Sequence, residues 1–238
     1  MTKSTASPRV RRKRAERRER IVEAAFAAIA ESGPADFSLN QLARDLDYAP
    51  GALYWYFPSK EALVVEVQRI AFTELAEKIR NAREEWEAKG MASNLEPDAR
   101  LVHALLSLAR YYLDLGVISP EYSRLIAFSL DPRVWLDDES AKGLTPVLAS
   151  VFAEVSVPFM HAQESKALSD GLGVVRAVQY WAALQGVLQI NKLSRINPEM
   201  FDVNVLGMDT AKTMLLGWGA DPKAVAAAEE QLRVDYAS

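Results

Sequence analysis

Residues 38–60, SLNQLARDLDYAPGALYWYFPSK, limit the fold more than any other part of the chain, because turn chemistry brackets two very short helical patterns there. Ser38 is a strong N-cap and Gln41, three residues on, completes a capping-box pattern, with Phe37 and Leu42 spaced as a hydrophobic staple. Leu39, Leu42, Ala43 and Leu46 share one helical face, and the pattern stops at Asp47, a residue type that tolerates the left-handed turn conformation. Pro50 presets the first position of a second short helix over 50–56, and Pro58 forbids its continuation. Two short helices joined by a tight turn make a helix-turn-helix.

The second helix carries an odd surface for its length. Leu53 and Phe57 lie four apart and can face a core, which turns Gly51, Ala52, Tyr54, Trp55 and Tyr56 outward or sideways. Small residues at its start let the backbone sink into a major groove, where recognition helices present their first turn to base edges. Tyrosine hydroxyls and an indole N–H are donors suited to the flanking phosphates, and Lys60 adds a point charge. The alternative is that these aromatics are core residues of a small helical bundle.

On these residues the chain resembles the TetR/AcrR family of bacterial regulators: GALYWYFPSKEAL is similar to the family's signature, and SLNQLARDL to its first motif helix, over roughly residues 17–65. The resemblance implies an all-α protein, with a three-helix DNA-binding head joined to a larger helical domain for ligand binding and dimerisation. It also implies that Ser38 caps onto a phosphate, that Pro50, Gly51 and Ala52 approach bases, and that Tyr54, Trp55, Tyr56 and Lys60 hold the backbone. Asn40, Arg12 and Arg14 complete the candidate DNA-binding set. Two departures stand out. Asp47-Tyr48 occupies a turn where Gly and a small aliphatic are common, and Ala52 replaces a Thr or Ser donor, which shifts specificity toward DNA shape.

Charge is segregated along the chain. Residues 1–20 carry nine Lys/Arg against two Glu, a balance of +7, while the rest carries −11 of the net −4. Most of the positive charge is RVRRKRAERRER, residues 9–20, preceded by Thr, Ser and Pro that favour disorder. Residues 1–15 therefore read as a basic disordered arm that neutralises phosphates, or as a solvated tail. The head is expected over 16–64 and the body over 65–238.

Within the head, Ile21, Ala24, Ala25, Ala28 and Ile29 form a helical stripe ending at Gly33-Pro34, and Ser59 caps a long helix running to about Trp86. Gly90 to Pro97 interrupts the pattern. Further helices are expected over 97–115, 120–130, 144–163, 171–196, 202–217 and 222–236, with no strand alternation. Half of the 238 residues are apolar, enough for a sizeable core. The 171–196 helix is apolar beyond a single stripe. The resemblance implies that the last long helices form a two-fold dimer interface, with Ala182, Gly186, Gln189 and Met214 as candidates; burial within one subunit is the other reading.

Tyr112, Phe128, Trp135, Phe159, Trp181 and Gln185 are candidates to line the inducer pocket that the resemblance implies, each of them equally capable of being core. With no cysteine and only His103 and His161, neither a disulfide nor a thiolate or histidine-rich metal centre is expected, and no cofactor motif or catalytic constellation is present. No apolar run is expected to span a membrane, and no signal peptide is recognisable, so the expected location is the cytoplasm. The expected function is a homodimeric repressor that binds a pseudo-palindromic operator and is released by a mostly apolar organic inducer. The alternatives are a DNA-binding dimer that senses no small molecule, and an all-α enzyme with a head-like N-terminus.

Overall fold

A computed structural model describes residues 7–33, 36–49, 51–129 and 138–237. The described residues form α-helices and short 3-10 turns without strands: α1 (Pro8–Ser32), α2 (Leu39–Asp45), a 3-10 turn (Ala52–Trp55), α3 (Lys60–Ala92), α4 (Pro97–Ile118), α5 (Pro120–Ser129), α6 (Asp138–Glu164), α7 (Gly173–Ile190), a second 3-10 turn (Asn191–Arg195), α8 (Val203–Gly217) and α9 (Pro222–Ala237). They divide into two compact units, one of residues 1–72 and 119–147, the other of 73–118 and 148–238. The head boundary expected at residue 64 thus falls inside α3, and α5 with the start of α6 belongs to the unit that contains the motif.

The basic segment departs from expectation. Residues 8–15 are not a disordered arm but the first two turns of α1, because Ser7 accepts a hydrogen bond from the Val10 N–H and Pro8 sits at the helix start. Arg, Lys, Ala and Glu are also good helix formers, so dense charge does not prevent helicity here. The helix ends where the glycine allows it to: Gly33 has φ +81° and its N–H bonds the Ile29 carbonyl at 2.9 Å. Ile21, Val22, Ala25 and Ile29 are buried. In the same unit, the Phe26 and Tyr122 rings meet edge to face, the Arg124 side chain donates to the Glu31 carbonyl, and Gln68 donates to Ser129 at 2.8 Å.

In the other unit α4 is the central element. Val102, Leu105, Leu106, Ala109 and Leu113 are buried along it, and α8 and α9 pack on it through small residues, Gly207, Ala211, Ala224 and Ala228. A Cβ on Gly207 would stand 2.5 Å from the Leu113 methyls, so a larger residue there would force the buried Leu113 side chain to shift. α3 continues past the expected stop to Ala92, with Arg100 and His103 of α4 lying beside Gly90. Phe159, Tyr180 and Trp218 form a ring cluster, and the Tyr180 hydroxyl donates to the Leu105 carbonyl at 3.0 Å. Residues 142–164 of α6 are, by length and composition, apolar enough to cross a bilayer, contrary to expectation. Two features tie this helix into the folded unit instead: Glu154 pairs with Arg80 and Arg83, and Phe159 and Ala162 are fully buried.

Candidate nucleic-acid interface

Helix α2 starts as its sequence dictates. Ser38 accepts from the Gln41 N–H at 3.4 Å, but the reciprocal half of the capping box is missing: the Gln41 amide donates forward to Asp45 at 2.7 Å and accepts from Arg44. The helix ends in a Schellman arrangement, with the Tyr48 N–H on the Ala43 carbonyl at 2.8 Å and the Asp47 N–H on the Arg44 carbonyl at 3.1 Å. Asp47 takes the left-handed position at φ 59°, where glycine is more usual. This aspartate fixes the exit direction from α2.

The second element is shorter and tighter than the helix expected over 50–56. It is a 3-10 turn of four residues, Ala52–Trp55, preceded by Gly51 at φ +86°. Gly51 is therefore a left-handed hinge rather than a helical residue, and Pro50 lies outside the described residues. The Phe57 N–H closes on the Leu53 carbonyl at 2.9 Å, and the Leu53 and Phe57 side chains are buried at 1 % and 3 % exposure. With both anchors inward, Tyr54 and Trp55 stand out at 49 % and 83 % exposure, while Ala52, Tyr56 and Lys60 are half-buried. Ser38 and Asn40 are exposed on α2. Tyr54 and Trp55 are therefore not core residues of a small bundle.

A concavity of about 390 Å³ opens beside the turn, lined by Arg14 and Arg17 of α1 with Tyr48, Ala52, Trp55 and Tyr56. Guanidinium groups beside phenol and indole donors make a seat for an oxyanion such as a backbone phosphate. Arg14, Ala52, Trp55 and Tyr56 were candidates from sequence. Arg17 and Tyr48 were not, although the i, i+3 spacing of Arg17 from Arg14 carries the signal. Arg12 is drawn to Glu16 at 3.3 Å and does not line this concavity.

The six inducer-pocket candidates separate. Tyr112, Trp181 and Gln185 come together: the Trp181 indole donates to the Tyr112 hydroxyl at 2.8 Å, and that hydroxyl donates to Gln185. Phe152 adds an edge-to-face contact with Trp181, and burial pushes the Tyr112 phenol above its ordinary pKa. Phe159 stands apart from them as fully buried core. The Phe128 side chain and Trp135 lie outside the described residues. His103, a polar group that could have oriented a ligand, is buried and bonded through Nε2 to Asp235 at 2.8 Å.

Helix α7 presents Ala182, Gly186 and Gln189 to the exterior, in line with exposed Val175 and Val178. Nothing lies within 4 Å of a Cβ placed on Gly186. On α8, Val205 and Leu216 are exposed, whereas Met214 packs against the core and is less available than the other three candidates. Among the described residues no group of three or more His, Cys, Asp or Glu could hold a metal ion.

Residues 21–67 match the family described as bacterial regulatory proteins, tetR family. No curated protein matches the sequence. Solved structures match over most of the chain. SmeT, the repressor of the Stenotrophomonas maltophilia multidrug efflux pump SmeDEF, is 18% identical with TM-score 0.56, covering 86% of this chain and 91% of its own. RolR in complex with resorcinol is 16% identical with TM-score 0.57 over 91% and 95%. The fatty acid degradation regulator FadR from Bacillus halodurans is 18% identical with TM-score 0.58 over 83% and 97%. At these identities the likeness speaks for the fold alone.

Proposed function

We propose that this chain, a tetR-family regulatory protein by its residues 21–67, acts as a homodimeric repressor that binds a two-fold operator and releases it when a small, mostly apolar organic ligand occupies the helical domain. The observation that carries the DNA reading is the division of the 52–57 segment. Leu53 and Phe57 are buried while Tyr54 and Trp55 are exposed, Trp55 beside Arg14 and Arg17, so the turn is anchored from within and its donors face outward. Ala52 and Gly51 approach the base edges. Tyr54, Trp55, Tyr56, Lys60 and Ser38 hold phosphates, with Asn40 at the edge of the contact. Such a protein works in the cytoplasm and needs neither cofactor nor catalytic group.

The exposed apolar line on α7 supports dimerisation. One four-residue turn reads too few bases to discriminate, and pairing two heads squares the discrimination. The ligand reading rests on the Tyr112, Trp181 and Gln185 cluster with Phe152, which offers aromatic surface and two polar atoms that can reorient toward a guest. RolR binding resorcinol and SmeT binding triclosan support a small aromatic guest. A ligand that favours one arrangement of α3, which runs through both units in sequence, would alter the head spacing of roughly 34–36 Å that one DNA turn demands. Selection of random duplexes on the purified protein tests this. It should enrich a palindrome, and screening aromatic compounds against that duplex should find one that releases it. Enrichment of no sequence, or of a single unpaired half-site, counts against the reading.

A further inference from the structure

We infer that Arg18 is a positioning residue for the DNA-facing turn: held between Glu66 of α3 and the ring of Phe57, it sets the angle at which residues 52–56 leave the head without itself touching DNA. The inference rests on the DNA-binding reading above. Arg18 lies in the basic run, so charge alone would assign it to a phosphate. Its geometry differs from that of its neighbours. Its Nη1 donates to Glu66 Oε1 at 2.7 Å, and its guanidinium carbon lies 4.9 Å from the Phe57 ring centroid. Arg14, one turn earlier on α1, and Arg17 instead line the concavity with Tyr48, Ala52, Trp55 and Tyr56.

Phe57 is what this contact controls. A 3-10 turn of four residues has little stiffness of its own, so its direction depends on what holds its two ends. At one end stands the left-handed Gly51, a flexible residue; at the other, Phe57 is buried and closes the turn onto Leu53. Arg18 covers that ring and is fixed in turn by a carboxylate shielded to 13 % exposure, which also accepts from Arg69 Nε at 2.9 Å and Nη2 at 3.1 Å. With the Arg18 side chain itself 44 % exposed, an isolated ion pair would contribute little. The stacked ring and the doubly bonded carboxylate make the arrangement directional.

The test uses the full-length chain and a duplex selected on it, with anisotropy titrations across a salt series and a melting curve for each variant. Arg18→Gln should weaken binding about tenfold, the scale of an ion pair and a cation–π contact together, with the slope of log affinity against log salt unchanged. Arg14→Gln should lower that slope by roughly 0.9 per head. Glu66→Gln should weaken binding like Arg18→Gln, and the double variant should be no weaker than either, since both break one clamp. Arg69→Gln, which removes two bonds from Glu66 but leaves the Arg18 contacts to Glu66 and Phe57 in place, should weaken binding less than Arg18→Gln and so separate positioning from general stability. A reduced salt slope for Arg18→Gln makes it a phosphate contact and overturns the inference. So do unchanged affinity, losses that multiply in the double variant, or an Arg69→Gln as weak as Arg18→Gln. A parent chain that binds no duplex removes the DNA reading and the clamp with it; the other outcomes leave that reading standing.

Discussion

Replacing Trp55 by alanine separates the surface role of the 52–57 segment from its packing role. Trp55 is 83 % exposed, the highest value for a large apolar side chain among the described residues. The remaining shielded sixth of a ring of roughly 250 Å² is about 40 Å², which at about 25 cal/mol per Å² limits the stability cost to about 1 kcal/mol. Leu53 is 1 % exposed, and its truncation to alanine should cost about 2–5 kcal/mol through lost burial and the cavity left behind. Binding should show the opposite order of sensitivity. An indole donor on a phosphate is worth about 1–2 kcal/mol, so Trp55→Ala should weaken each head about tenfold and a two-headed complex about a hundredfold. Anisotropy with a labelled operator duplex, beside thermal melts of Trp55→Ala and Leu53→Ala, reads both quantities. A Trp55→Ala protein as destabilised as Leu53→Ala, or one that binds DNA as the parent does, would refute the division of the segment into anchors and donors.

Other expectations concern assembly, acid and ligand. Gly186→Arg should fold normally, since a Cβ added there would meet no other part of the subunit within 4 Å, yet sediment as a monomer and lose operator affinity; a persistent dimer means that α7 is not the interface. Glu66 is held down to about 2 from 4.5, first by its hydrogen bonds from Arg69 and then by Arg18, against the opposing effect of burial. Its contribution is therefore complete above about pH 4.5 and lost as pH falls toward 2, about 1–2 kcal/mol after solvent screening. Glu66→Gln should flatten acid unfolding across that window, and an unaltered acid profile would show that the pairing is energetically idle. A small aromatic ligand should raise the melting temperature, change tryptophan fluorescence and weaken operator binding over one concentration range, with Trp181→Leu reducing the fluorescence response and shifting ligand affinity. Ligands restricted to metal ions or highly charged phosphates would contradict this pocket chemistry.

Local chemistry in the head was readable because each signal acts within four or five residues. Ser38, Asp47 and Ser59 each announce a helix end, and each occupies that place: Ser38 caps α2, Asp47 turns left-handed and Ser59 accepts from the Ala62 N–H at 3.1 Å. The helical stripes likewise gave the body helices to within a few residues at most ends. Two kinds of feature were not readable. The helical arm depended on a weak cap at Ser7 competing with a compositional bias toward disorder, and the tightening of 52–55 into a 3-10 turn depended on Gly51 taking a positive φ. Tertiary pairings were the other kind. Nothing within five residues of Arg18 signals Glu66, and Phe159 and Trp181 look alike in sequence although one is core and the other shares a hydrogen-bonded cluster. The assignment of residues 119–147 to the unit that holds the motif is long-range in the same way.

Hydroxyl-radical footprinting of the purified protein on DNA flanking its own coding region shows whether two heads occupy one operator. Two protected patches are expected on one face of the duplex, related by a two-fold axis and centred about one helical turn, roughly 34–36 Å, apart, with both patches lost in Trp55→Ala. Protection that is absent, that lacks two-fold symmetry, or that survives Trp55→Ala unchanged would contradict two-headed binding through this turn.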